Sequence, residues 1–131
     1  ERSYRQTDEQ VNRYANVLLK LGFRSGDRIA LYLPNSIEFI ECFLAIAKIG
    51  AVIVPLDTKG TSFELAGLID ASGARAVICT RGCSLTLNEA VLAWEFRCSW
   101  WEVMPVRRSL LYPLSVGAAR LSWITIRSLK R

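Results

Sequence analysis

The stretch Ile29-Ala-Leu-Tyr-Leu-Pro-Asn-Ser-Ile-Glu-Phe-Ile40 joins an apolar run to a hard stop and then to a helix start. Ile29 to Leu33 are β-compatible. Pro34 ends the run because it offers no N–H to a ladder. Asn35 or Ser36 can cap the helix that follows, with Glu38 at the favourable end of its dipole. Phe39, Ile40, Phe43, Leu44 and Ala47 then recur at helical spacing until Gly50 closes the element. A strand handed directly to a helix is the repeating unit of an α/β fold.

The same alternation extends in both directions. Upstream, residues 7–21 carry a helix signature: Thr7-x-x-Gln10 reads as a capping box, and Val11, Tyr14, Ala15, Leu18 and Leu19 share one face. Gly22 ends that helix, and Ser25-Gly26-Asp27 is a turn. Downstream, Ala51-Val-Ile-Val54 is a compact run of strand formers stopped by Pro55, the pattern of a strand covered on both faces. Thr61-x-x-Glu64 opens a helix of about ten residues with Phe63, Leu65, Leu68 and Ile69 as its apolar set. Gly73 ends it, and Ala76-Val-Ile78 reads as a third strand. The expected fold class is therefore α/β, a layered, partial parallel sheet with flanking helices and right-handed crossovers. Ligands of such sheets bind beyond the carboxyl ends of the strands, here Pro34 to Ser36, residues 56–60 and the segment after Cys79.

A chain of 131 residues, 51% of them apolar, is expected to form one packed body. It begins with Glu1 rather than Met, which suggests processing or a piece of something longer. No secretory pattern opens it. The longest weakly charged run, Ser109 to Ala119, is too short for a bilayer and is broken by Pro113 and Gly117. The expected location is cytoplasmic. The four cysteines are Cys42, Cys79, Cys83 and Cys98, and there is no histidine. That combination excludes Cys/His zinc sites and the usual nucleophile triads, and it suits reduced thiols. The CxxxC spacing of Cys79 and Cys83 raises a redox hypothesis.

Sites of chemistry are scarce. Neither a GxxxxGK[ST] phosphate loop nor a GxGxxG fingerprint is present. Lys59-Gly60-Thr61 combines a cation, a flexible backbone and a helix start, as a phosphate grip would. Turn and cap roles explain the same three residues, and capping alone also explains Asn35-Ser36. The carboxylate pairs Asp8-Glu9 and Glu38/Glu41 read as solvated, the first in a helix's opening turn, the second on an outer face opposite Phe39 and Phe43. General acid–base work needs a buried, perturbed carboxylate. No catalytic, cofactor-binding or metal-ligating residue is assigned.

One ordered series carries more than these fragments. Ser3-Tyr-Arg-Gln6, Asp8-Glu-Gln-Val-Asn-Arg13, Ala15-Asn16, Leu21-Gly22, Gly26-Asp-Arg-Ile-Ala-Leu31 and Leu33-Pro-Asn-Ser36 follow one another. Glu38-Phe39, Phe43-Leu-Ala-Ile-Ala-Lys-Ile-Gly-Ala51, Val54-Pro55 and Asp70-x-Ser-Gly-Ala-Arg75 continue it. Over residues 3–79 the series resembles the N-terminal region of the AMP-forming acyl-CoA synthetases, within the adenylate-forming superfamily. The resemblance implies a large two-domain enzyme that activates a carboxylic acid with ATP and Mg²⁺ and passes the acyl group to coenzyme A. The family's phosphate loop, adenine-side motif, ribose-binding Asp and catalytic Lys lie downstream of the matching region. Residues 1–79 would then be an N-terminal subdomain segment, inactive alone, that binds none of these cofactors itself.

Residues 80–131 depart from that pattern. Acids and bases balance at nine each up to Cys79, whereas from Thr80 on there are eight bases and three acids. The whole net charge of +5 and all four tryptophans lie in this segment. Apart from a helix expected over 85–96, no steady period survives, and an irregular or poorly ordered basic segment is expected. Three origins compete: translation off-frame, a basic tail for an anionic membrane interface, or a basic patch with stacking aromatics for nucleic acid. No recognised nucleic-acid module accompanies it. The alternative function is thus a small α/β binding module with a basic tail.

Overall fold

The computed structural model describes residues 2–80, the single positions 83, 86 and 89, and the backbone of 112–116 and 119–125. Helix α1 (Tyr4–Lys20) precedes β1 (Arg28–Tyr32), α2 (Ile37–Lys48), β2 (Val52–Pro55), α3 (Ser62–Ser72) and β3 (Ala76–Thr80). Strands β4 (Tyr112–Val116) and β5 (Ala119–Thr125) follow. The five strands form one sheet in the order β2-β1-β3-β5-β4. β1 runs parallel to both neighbours, with Ala30 opposite Val54 on one side and Val77 on the other. β4 and β5 are antiparallel to each other, and β5 is antiparallel to β3.

The parallel strands alternate between two cores. Ile29, Leu31, Leu33, Ala76 and Ile78 pack with Val11, Tyr14, Leu18, Ala45 and Ile46 of α1 and α2. Ala30, Tyr32, Val77 and Cys79 pack with Leu65, Ala66 and Ile69 of α3. The chain steps one way from β1 to β2 and back past β1 to β3. Two right-handed crossovers in opposite directions put α2 and α3 on opposite faces. The expected α/β class with its parallel, layered sheet is the observed one.

Several local expectations shift, each for an identifiable reason. α1 begins one turn earlier than expected because Ser3-x-x-Gln6 is itself a capping box: the Ser3 hydroxyl accepts from the Gln6 N–H and the Gln6 side chain accepts from the Ser3 N–H. Thr7 therefore lies inside the helix, and Asp8 and Glu9 in its second turn. β2 is not covered on both faces. It pairs only with β1 and leaves Val52 47% exposed, while Pro55 sits where an edge strand tolerates a missing N–H. In α3, Phe63 and Leu68 are exposed, and Ala66 completes the buried face in their place. Within residues 80–131 the hairpin β4–β5 is an addition to the sequence reading, which placed no element over 112–125. Of the helix expected over 85–96, Thr86 and Glu89 are described and helical. The remainder of 80–131 lies outside the described residues.

α2 ends at Gly50, whose φ of +74° lets the N–H groups of Gly50 and Ala51 reach back to Ala47 and Ile46. Its carbonyl then accepts from the Gly26 N–H at 2.9 Å and from the Ser25 hydroxyl at 3.2 Å. A Cβ at Gly50 would stand 2.8 Å from Ser25 Oγ. Gly67, exposed on α3, has no neighbour within 4 Å of such a Cβ. Gly50→Ala is therefore expected to destabilise the chain by about 1–2 kcal/mol, through strain and displacement of Ser25. Gly67→Ala should stabilise it by about 0.5–1 kcal/mol. Urea unfolding followed by circular dichroism checks both signs.

Candidate functional site

The corner after β1 is a cap. Ser36 is extended (φ −152°, ψ 172°) and its Oγ accepts from the Phe39 N–H at 3.3 Å, so its hydroxyl serves α2. The corner after β2 is likewise occupied. The Lys59 N–H donates to Asp57 Oδ1 at 2.9 Å. Both the N–H and the hydroxyl of Thr61 donate to Glu64 Oε2, at 2.8 and 2.9 Å, and the Thr61 hydroxyl accepts from the Glu64 N–H. The Thr61 N–H and then its hydroxyl hold the Glu64 carboxyl below the usual carboxylate range. The turn and cap roles expected of Lys59-Gly60-Thr61 are thus both present.

The carboxylate pairs separate into unlike cases. Asp8 is exposed and bonds Asn12 at 3.1 Å and Lys48 at 3.5 Å, and Glu9 pairs with Arg5 at 3.3 Å. Glu38 is half-buried, and Glu41 is completely buried, contrary to the solvated outer face expected of both. The inner face of α2 is Glu41, Cys42, Ala45 and Ile46, whereas Ile40, Phe43 and Leu44 face outward. A helix apolar on nearly every side does not announce which stripe it buries.

Glu41 Oε1 accepts a hydrogen bond from the Arg2 guanidinium, which raises the Arg2 pKa further. Its Oε2 and Gln10 Oε1 are buried without a hydrogen-bond partner. Burial, and then the neighbouring Glu41, pushes the Cys42 thiol up to about 12. Burial first pushes the Tyr14 phenol up to about 12 as well. Glu41 is fully buried and Arg2 partly exposed, and this partly buried ion pair ties the chain before α1 to α2. Sequence spacing gave no sign of it, because Arg2 and Glu41 are 39 positions apart.

A second latch closes the amino ends of β1 and β3. Asp27 Oδ2 accepts from Arg75 Nη1 at 2.6 Å and from the Arg24 N–H at 2.7 Å. Arg75 first, with the Arg24 N–H assisting, holds the Asp27 carboxyl below its ordinary value. The Arg75 guanidinium lies 5.5 Å from the centre of the Phe23 ring, and Arg28 donates to the Ser72 carbonyl at 2.9 Å. Gly26-Asp-Arg28 and Ser72-Gly-Ala-Arg75, far apart in sequence, are one polar joint in space.

A groove of about 330 Å³ runs between α1 and α2, lined by Tyr4, Thr7, Asp8, Val11, Leu44 and Lys48. Its walls are largely apolar, and its ion pair is exposed. Among the described residues no group of His, Cys, Asp and Glu could hold a metal ion. No helix among them is long and apolar enough to cross a membrane. The membrane-interface and nucleic-acid readings of the basic segment rest on side chains outside the described residues.

The family described as AMP-binding enzyme matches residues 1–103. The chain is 43% identical over 76 residues to a long-chain-fatty-acid–CoA ligase, FadD13, of Mycobacterium tuberculosis, a match covering 58% of the chain and 15% of that protein. It is 44% identical over 70 residues to a crotonobetaine/carnitine–CoA ligase of Salmonella paratyphi B, covering 53% of the chain and 14% of the relative. Among solved structures, the N-terminal domain of FACL13 from M. tuberculosis superposes with a TM-score of 0.63 at 38% identity, over 66% of this chain and 22% of that one. A benzoate CoA ligase from Burkholderia xenovorans superposes with a TM-score of 0.67 at 26% identity, over 70% and 19%. The chain thus spans about a seventh of the length of these curated relatives.

Two outcomes test the two latches. Arg2→Ala leaves a buried carboxylate unmatched and should cost about 3 kcal/mol, whereas Arg2→Met combined with Glu41→Leu should recover most of that loss. Equal losses in both, measured by urea unfolding, would show that Glu41 is not held by Arg2. Asp27 has a folded pKa below its unfolded one, so its contribution is present above about pH 4 and fades as pH falls further. Asp27→Asn should therefore lower stability at pH 7 by up to about 1 kcal/mol, since Arg75 is partly exposed. The gap from the parent chain should narrow towards pH 3.

Proposed function

The chain belongs to the AMP-binding enzyme family, and from that premise we propose that it is the N-terminal α/β segment of an ATP-dependent carboxylic acid–CoA ligase. The parent reaction converts a carboxylic acid (a fatty acid, by the name of one relative), ATP and coenzyme A to acyl-CoA, AMP and pyrophosphate. Residues 1–79 are the scaffold unit in this reading, and 80–131 are a divergent basic segment. ATP, Mg²⁺ and coenzyme A are handled by parts of the ligase outside this chain, which alone is inactive and cytoplasmic.

One observation carries the scaffold role. The Ser36 and Thr61 hydroxyls serve as helix caps, the Lys59 N–H closes a turn onto Asp57, and Asp8, Glu9 and Glu41 are engaged in ion pairs. The solved relatives span fatty-acid and benzoate ligases, so the shared segment accompanies different acids. A scaffold that does not touch the acid fits that spread.

Two measurements test the reading together. The purified chain, with a long-chain fatty acid, ATP and Mg²⁺, should give no ATP–pyrophosphate exchange above the protein-free rate. A chimera carrying residues 2–79 in place of the matching segment of the M. tuberculosis long-chain-fatty-acid–CoA ligase should form acyl-CoA within about tenfold of the parent rate. Acid-dependent exchange by the chain alone, or a folded but inactive chimera, would overturn the proposal.

A further inference from the structure

The outer face of α2 is apolar along its whole length and open to solvent. Ile37, Ile40, Phe43 and Leu44 are each between 41% and 55% exposed, and Ala47 is exposed beside them. Ile37, Ile40, Leu44 and Ala47 follow at steps of three, four and three, the a and d spacing of a helix-packing seam. Phe43 flanks the seam, tilted against Phe39 with 6.3 Å between ring centres. On the other flank Leu44 forms one wall of the groove towards α1, where Tyr4 is 96% exposed. None of the four seam residues is charged, and Lys48 at the edge pairs with Asp8 of its own chain at 3.5 Å. The inner face of the same helix, with Cys42, Ala45 and Ile46, packs into the core. α2 thus has two apolar faces, of which the core occupies one.

We propose that a second copy of this chain docks on the outer face of α2, the two helices packing antiparallel about a two-fold axis. The seam is complementary to itself in that orientation. An axis midway between Ile40 and Leu44 sets Ile40 opposite Leu44 of the other copy, and Ile37 opposite Ala47. Each contact then occurs twice. At both ends a large side chain meets a small one, so the faces interdigitate. A parallel pair would crowd Ile37 on Ile37 and leave a gap at Ala47. Together with Tyr4, the exposed large side chains of this face present about 500 Å² of apolar surface. Two copies therefore bring about 1,000 Å² together, the threshold of a specific interface before its rim is counted. Charge permits the approach, because each Lys48 is matched within its own copy and acids and bases balance up to Cys79. Interfaces at this low end of size are weak, so a dissociation constant of about 10–100 µM is expected.

Sedimentation equilibrium of the full chain, from about 1 µM to about 1 mM, reads the association directly. The mass should rise from one copy to two, and added NaCl should not weaken the pairing, as an apolar contact requires. Ile40→Lys and Leu44→Glu, both at exposed positions, should each weaken it about a hundredfold. An equimolar mixture of these two variants should regain a dimer. The antiparallel register sets the introduced cation of one copy beside the introduced anion of the other. A damaged fold would not be rescued by mixing, and circular dichroism verifies that both variants are folded. Leu68→Lys, on the exposed side of α3, should leave the association unchanged. Should either charged variant not fold, Ile40→Ser, about tenfold weaker in pairing, decides with the dilution series. A monomer at every concentration would overturn the proposal and assign the face to another part of the ligase. An association that Ile40→Lys leaves untouched, or folded variants that do not pair when mixed, would overturn it equally.

Discussion

The structure depends on strands β1 and β3 being covered from both sides. Ile29, Ala30, Leu31, Ala76 and Val77 have no exposed surface at all. Consecutive residues of a strand point to opposite faces, so burying all of them requires a helical layer on each face. Each fully buried Ile, Leu or Val contributes about 1.5–3 kcal/mol. That demand is met by α1 and α2 on one side and α3 on the other, delivered by crossovers running in opposite directions. Sheet order, helix placement and the position of the termini of each strand follow from it.

Helix ends were the most legible feature of the sequence, because a cap is local chemistry. Ser36, Thr61, Gly22, Gly50 and Gly73 act where their residue types suggest. Even the misplaced start of α1 is a choice between two genuine boxes four residues apart. The buried face of α1, with Val11, Tyr14, Ala15 and Leu18, was equally readable, since polar residues bound it. What could not be read was anything that requires knowing which element lies beside which. Val52-Ile-Val54 has the composition of a central strand, and only the sheet order makes it an edge. The pairing of β5 with β3 joins residues more than forty positions apart, with no period to announce it.

α2 shows the same limit at the level of a single side chain. Its sequence offers apolar residues in almost every direction, so the burial of Glu41 beside exposed Ile40 and Leu44 runs against composition. Burying a carboxylate is unfavourable unless a cation accompanies it. Arg2 supplies that cation, and it can do so because α1 starts at Tyr4 rather than a turn later. The early cap at Ser3 and the inverted face of α2 are therefore two aspects of one arrangement. Neither could be inferred without the other, which is why the sequence reading missed both.

The two ends of the parallel sheet divide their labour. At the amino ends, Asp27, Arg28, Arg75 and Ser72 knit the entries to β1 and β3. These are the residues of Gly26-Asp-Arg28 and Ser72-Gly-Ala-Arg75 that made the chain resemble a family in the first place. Part of the resemblance thus lies in a joint that orients strands, at their amino ends. At the carboxyl ends, the Ser36 and Thr61 side chains cap their own helices. A family signature written in latches and caps identifies the architecture.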